Sequence, residues 1–218
     1  MSSITKIGIV EDNHSLRKTL TALVNGTPGF TCVCASASAE DALVDIPKHK
    51  PDVVLMDIHL PGESGIACTA RLTAQMEKVQ VIMLTVYKDT KLIFQALKAG
   101  ACGYVLKRSK PEEILDAVME VRRGGAPMTS EIARMVVRSF KADVDSGKKV
   151  SEAEGLSGRE AEILALLSEG LANKEIGDRL NISAATVRSH LMRIFKKLHV
   201  HCRTEAAVKY LMQKSAQG

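Results

Sequence analysis

The sequence contains no tryptophan, and its four Phe and three Tyr are too few to fill an interior for 218 residues. Val, Ile, Leu, Met and Ala must do that instead. No apolar run approaches the roughly 18 residues that cross a bilayer. The N-terminus, Met1 to Lys6, runs into a strand-like stretch without the apolar core of a secretory signal. A soluble, cytoplasmic protein with no membrane partner is therefore expected. The five cysteines, at 32, 34, 68, 102 and 202, are odd in number and show neither CxxC spacing nor clustered His ligands. That argues against a disulfide framework or a zinc site and for buried, reduced thiols. Internal repeats and low-complexity tracts are also missing.

What is there divides into two halves. Residues 1–121 carry 13 basic and 14 acidic side chains, residues 122–150 carry 7 and 3, and residues 151–218 carry 10 and 8. Only the second half has a locally basic stretch, with 7 basic against 2 acidic residues over 171–203. That is where a polyanion would meet the chain, although a solvated basic face is the plainer reading of charge alone. In the first half, short apolar runs at 4–10, 30–35, 52–56, 81–84 and 104–106 alternate with amphipathic stretches at about 14–25, 39–46, 64–76, 88–99 and 111–123. Apolar runs without alternation suit strands covered on both faces, and the βα repeat implies a parallel sheet. The expected class is α/β, a five-stranded doubly wound flavodoxin-like domain, followed by a small all-α domain. Ser109 with Glu112 has capping-box spacing before the fifth helix.

Gly124-Gly125-Ala126-Pro127 breaks the pattern, and residues 124–155 read as a linker with a short helix at about 129–140. From 156 to 218 the signals are helical. Ser157 and Glu160 form a capping box, a second helix runs over about 172–180, and Asn181-Ile182-Ser183 turns into a third that ends near Leu198. A fourth covers about 203–213. Two helices joined by a three-residue turn fit a helix-turn-helix.

In a doubly wound sheet, function gathers at the carboxyl ends of the strands. Here those ends carry Glu11 and Asp12, Asp57, Thr85 and Lys107. Three converging carboxylates would repel one another unless a hard divalent cation intervened. A hydroxyl and an ammonium opposite would suit a phosphoryl group on Asp57. Singly these residues are ordinary, since a strand-end Asp is usually a turn or cap residue and Asp12 could cap helix one. Their joint placement carries the reading.

Glu11-Asp12, Leu55 to Gly62, Thr85, Tyr104 and Lys107 resemble the signature of response-regulator receiver domains, over residues 4–122 and within a first domain of 1–123. By that resemblance Asp57 takes a phosphoryl group from a sensor histidine kinase. Glu11, Asp12, Asp57 and the backbone carbonyl of His59 would hold Mg²⁺ (or Mn²⁺). Lys107 would pair with the phosphoryl oxygens, Thr85 would hydrogen-bond one of them, and Tyr104 would be the rotating switch aromatic. Pro61-Gly62 would shape the loop beyond the acceptor. Glu11 stands where many receivers have a second Asp, and His59 and Tyr87 would flank the acceptor.

The span Leu156–Leu211 resembles the LuxR-type helix-turn-helix, on Leu156 to Glu160, Glu169 to Ile176, Ile182-Ser183, Thr186 to His190 and Lys197-Leu198. The combination is the NarL/FixJ architecture. Val187, Leu191, Ile194 and Leu198 fall on one helical stripe, which leaves Ala185, Arg188, Ser189 and Met192 facing outward into a DNA major groove. Arg188 suits a guanine edge, with Ser189 and Met192 beside it. Asn173, Lys174, Thr186, His190, Arg193 and Lys196 suit phosphate or positioning contacts, although His190 could equally pack inward. Ala172 leaves the second helix without a side-chain cap, and Gly177 should weaken it by about 1 kcal/mol against Ala.

The expected protein is a transcription factor that is not an enzyme, beyond accepting and slowly losing phosphoryl. Its partners would be a histidine kinase, double-stranded DNA, a second copy once phosphorylated, and RNA polymerase. A phosphatase of the haloacid-dehalogenase type is a rival, but it would want an Asp where His59 stands. An unphosphorylated binding module is the other, against which the complete acidic, Thr and Lys set argues.

Overall fold

The computed structural model describes residues 4–76, 78–86, 89–128, 156–198, 200 and 202–216. The short helix expected at 129–140, the rest of the linker to 155, and Tyr87 lie outside them. The first part is β1 (Thr5–Val10), α1 (His14–Gly26), β2 (Phe30–Ser36), α2 (Ala39–His49), β3 (Val53–Asp57), α3 (Gly65–Gln75), β4 (Gln80–Thr85), α4 (Thr90–Lys98), β5 (Gly103–Leu106) and α5 (Pro111–Arg122). The second is α6 (Gly158–Ser168), α7 (Asn173–Leu180), α8 (Ala184–Leu198) and α9 (Arg203–Ala216).

All strand pairings are parallel, in the order β2-β1-β3-β4-β5. The order reverses between β1 and β3, so the crevice lies where those strands end. Every residue of β3 is buried, as a central strand covered on both faces requires. One face packs Val54, Met56, Met83 and Tyr104 against α2, α3 and α4. The other packs Ile7, Ile9, Leu55 and Ile82 against α1 and α5. Beyond α5 the chain returns to the sheet, where the Tyr104 amide donates to Pro127 O at 2.9 Å and Tyr104 bridges Met128.

Local chemistry moves some boundaries. α2 does not stop at 46 but runs through Pro47 to His49, with Lys50 in the left-handed conformation at φ 48° as its cap. The cap of α5 is Lys110 rather than Ser109, and Glu113, not Glu112, accepts from the cap amide at 3.2 Å. Asn13, not Asp12, caps α1, accepting from the Leu16 amide at 3.0 Å.

The helical part has its own core of Ile163, Leu164, Leu167, Ile176, Val187, Leu191, Ile194 and Leu198, which includes the whole stripe expected on α8. Ser157 and Glu160 form their capping box. Glu160 also accepts from Lys197 Nζ at 2.7 Å, tying α6 to α8. At α7 only half a box exists: Glu175 accepts from the Ala172 amide at 2.6 Å, and Ala172 returns nothing. α9 reaches back to the first part. Val208 joins the cluster around Tyr104 and Leu97, and Thr204 Oγ1 donates to Cys102 O at 2.8 Å.

Candidate functional site

Asp57 ends β3 at 4% exposure, and Glu11 follows β1 at 1%. Lys107, just past β5, bridges them, with Nζ 2.7 Å from Asp57 Oδ2 and 2.8 Å from Glu11 Oε1. Asp12 is exposed, and its carboxylate completes a set of three whose oxygens lie within 4.8 Å of one another. Because Asn13 takes the capping role, that carboxylate remains directed to the site. Arg17 of α1 donates to the main-chain oxygens of Glu11 and Asp12, which fixes the turn carrying the acidic pair. Sequence reasoning passed Arg17 over, since an Arg on the first turn of an amphipathic helix reads as solvated surface.

The electrostatics follow from this crowding. Burial pushes the Glu11 carboxyl above its ordinary range; the Lys107 hydrogen bond pulls it down, and the neighbouring Asp57 charge pushes it further up. Burial alone would lower the Lys107 ammonium, but its hydrogen bonds to Asp57 and Glu11 outweigh that and raise it. Glu11 Oε2 lies within 2.7 Å of the ammonium yet makes no directed hydrogen bond. Three carboxylates thus face one ammonium, with one buried oxygen held by charge alone. Oxygen donors with excess negative charge fit a hard divalent cation.

The loop after β3 folds tightly over the acceptor. The His59 amide donates to Asp57 Oδ1 at 3.3 Å, and the Gly65 amide donates to Ile58 O at 2.9 Å. A Cβ on Gly65 would stand 1.7 Å from Asp57 O, so only glycine allows α3 to begin there. Gly65 was missed because Gly62, three residues earlier, already explained a turn. His59 itself is exposed. Thr85 is fully buried at the end of β4. Tyr104, the candidate switch aromatic, lies on β5 inside the core. It is fully buried, with Thr85 beside its hydroxyl, and burial pushes its phenol up to about 12.

On α8, Arg188, Ser189, Arg193 and Lys196 are exposed, Met192 is 65% exposed, and Lys174 stands out from the start of α7. Three other residues are otherwise engaged. Ser183 caps α8, accepting from the Thr186 amide at 3.0 Å and pairing with the Thr186 hydroxyl at 2.8 Å. Asn173 Oδ1 accepts from Arg203 Nη1 at 2.7 Å. His190 is half-buried with its Nδ1 enclosed and unpartnered among the described residues, which favours packing over a phosphate contact.

The response regulator receiver domain family matches residues 7–119, and the luxR family of bacterial regulatory proteins matches residues 154–210. The transcriptional regulatory protein LnrK of Bacillus subtilis (strain 168) is 35% identical over 208 residues, covering 93% of this chain and 94% of LnrK. The DNA-binding transcriptional activator DevR/DosR of Mycobacterium tuberculosis is 32% identical, over 94% of this chain and 93% of its own. Among solved structures, a LuxR-family two-component response regulator from Aurantimonas sp. SI85-9A1 has a TM-score of 0.60 at 29% identity, over 63% of this chain and 98% of that one. The response regulator ChrA of a heme-sensing two-component system has a TM-score of 0.53 at 31% identity, over 99% of this chain and 100% of ChrA. No described helix is long and apolar enough to cross a membrane. The chain belongs to the NarL/FixJ-type response regulators, transcription regulators that join a receiver domain to a LuxR-type DNA-binding domain.

Proposed function

We propose that Asp57 is the phosphoacceptor of a switch that governs dimerisation and sequence-specific DNA binding. The observation that carries this is Lys107 held at 2.7 Å from both Asp57 and Glu11, with the Asp12 carboxylate completing the acidic set around them. An Asp57 oxygen attacks the phosphorus of a phosphohistidine on a sensor kinase, an acyl phosphate forms, and the histidine nitrogen leaves. Glu11, Asp12, Asp57 and the His59 carbonyl would hold Mg²⁺, which when bound offsets the negative charge between acceptor and phosphoryl group. Lys107 pairs with the phosphoryl oxygens, and Thr85 donates to one of them. No external substrate is turned over, so the protein is not an enzyme.

The output runs through the surface of α4 and β5. Phosphorylation adds charge and strong acceptors at the strand ends and draws Lys107 and Thr85 away from their resting partners. Tyr104 already lies inside, beside Thr85 and in one cluster with Val208 of α9. The outcome is therefore a repacking of that cluster, with α9 released from α4, rather than entry of the ring from solvent. Released α8 modules bind double-stranded DNA as a homodimer, because one small module buries too little DNA surface for high specificity. Arg188 reads a base edge, with Ser189 and Met192 alongside, while Lys174, Arg193 and Lys196 contact phosphates. RNA polymerase is the partner downstream.

Incubation with acetyl phosphate and Mg²⁺ should add one phosphoryl group, measured by intact mass, and Asp57→Asn should add none. Equal labelling of the Asn variant overturns the assignment.

A further inference from the structure

Cys102 lies between α4 and β5, and Cys202 immediately precedes α9. They are 100 positions apart and belong to the two different domains, yet both enter one buried cluster, at 0% and 3% exposure. Short polar contacts hold the two segments in register. Thr204 Oγ1 donates to Cys102 O at 2.8 Å, and Cys202 Sγ lies 3.9 Å from Ala101 O. Ala101 directly precedes Cys102, so the Cys202 sulfur sits against the very turn that carries the Cys102 thiol. The remaining cysteines all belong to the receiver: Cys32 and Cys34 on β2, and Cys68 on α3. A buried free thiol is usually only a small hydrophobe. A thiol pair facing across a domain boundary is a different object.

We propose that Cys102 and Cys202 are an oxidant-sensitive modification site, where a peroxide forms an interdomain disulfide that fixes α9 against the receiver. The chemistry balances with hydrogen peroxide as the two-electron oxidant. One thiolate attacks the O–O bond, giving a sulfenic acid and, after proton uptake, one water. The second thiol attacks the sulfenic sulfur, the S–S bond forms, and a second water leaves. While the interface is closed, the neighbouring Cys202 thiol and burial keep Cys102 in its protonated, unreactive form. Oxidation therefore follows opening of the domain boundary, which is a natural motion for a limited interdomain contact. Reclosure then brings the second sulfur onto the first. A disulfide of this kind in a reducing compartment is transient and sensing rather than structural. Its consequence for DNA binding rests on the function proposed above; its formation does not.

The test treats the full-length protein with hydrogen peroxide, blocks remaining thiols, and maps peptides by mass. The expected product is a monomer joined through Cys102 and Cys202, reversed by dithiothreitol, absent from Cys102→Ser and Cys202→Ser, and retained by Cys32→Ser. A peroxide product that is only intermolecular, only Cys32–Cys34, or the same in Cys202→Ser overturns the proposal. The lock is read without DNA, as slower amide exchange in α4 and α9 of the oxidised protein. A mapped disulfide with unchanged exchange there overturns the lock. DNA affinity of the oxidised protein should then fall by about tenfold or more, within the usual range of coupling between sites, with Cys202→Ser unaffected by peroxide. If reduced protein fails to bind any DNA, the functional reading fails while the mapping result stands.

Discussion

Replacing Gly177 by alanine sets two effects of known sign against each other. As a residue inside α7, glycine weakens the helix by about 1 kcal/mol relative to alanine, so propensity alone favours the substitution. The fold opposes it. A Cβ at position 177 would lie 2.6 Å from Ile182 O and 3.4 Å from the Ala184 nitrogen, where ordinary contact begins at 3.4 Å. The turn between α7 and α8 would have to retreat by about 0.8 Å. It cannot tilt away freely, because the Ile182 amide donates to Gly177 O at 2.9 Å and Asn181 is fixed in the left-handed conformation at φ 57°. Overpacking of this kind costs about 1–3 kcal/mol. Subtracting the propensity gain leaves a net loss of about 0 to 2 kcal/mol, making opening up to roughly 30-fold more frequent. Hydrogen exchange on the full-length protein, read in peptides covering α7 and α8, measures this directly. Slower exchange in Gly177→Ala than in the native chain would show that the turn has room and that propensity governs, refuting the close-approach reasoning.

Arg188→Ala should cost about 1–3 kcal/mol on a selected DNA site and relax preference at one base pair, whereas Lys174→Ala should weaken all sequences alike and reduce the salt slope by about one. Binding of both to the site and its single-base variants across a salt series separates them; undiminished discrimination by Arg188→Ala excludes that side chain as the reader. Asp12→Ala should lose Mg²⁺-dependent phosphorylation while keeping the native circular dichroism, because the side chain is exposed and does not cap α1; labelling that survives chelation overturns the metal role. The Glu160 carboxyl is held down to about 2 by Lys197 first and by the Ser157 amide. Since its folded value lies below the ordinary 4.5, its contribution is complete above that value and lost as pH falls towards 2. Acid unfolding should therefore show native and Glu160→Gln proteins converging over that interval, and a gap that persists unchanged to pH 2 argues against the pair.

The acidic set, Asp57, Thr85 and Lys107 were legible because strand ends are a property of the βα pattern, and that pattern is written in short apolar runs. The α8 stripe was legible for the same reason, as a local periodicity. What escaped depends on contacts between distant segments. Pro47 reads as a stop, yet α2 passes through it to His49 despite the ladder amide that proline lacks. The Glu160–Lys197 bridge joins residues 37 apart, and each alone looks like a cap or a solubilising charge. Arg203 reads as a basic residue near DNA, but it is 9% exposed and spends its guanidinium on Asn173 and Leu171 O. Gly177 reads as a defect until the turn that it accommodates is in place.

The return of the chain to β5 has a consequence for assembly. A sheet has two edges, and an edge with free amides and carbonyls invites a strand from another molecule. Here Pro127 and Met128 occupy the β5 edge, with Pro127 O already taken by the Tyr104 amide. Proline has no amide to offer a further strand at that point. The outer margin of the receiver is thus covered at Tyr104 by its own exit segment, while among the described residues no strand pairs with the outer side of β2. Two receivers cannot grow into one continuous sheet through β5 without first peeling away the start of their linkers. A dimer on that side must use helix surfaces instead, and any pull on the linker acts first on the strand that carries Tyr104 and leads into Lys107.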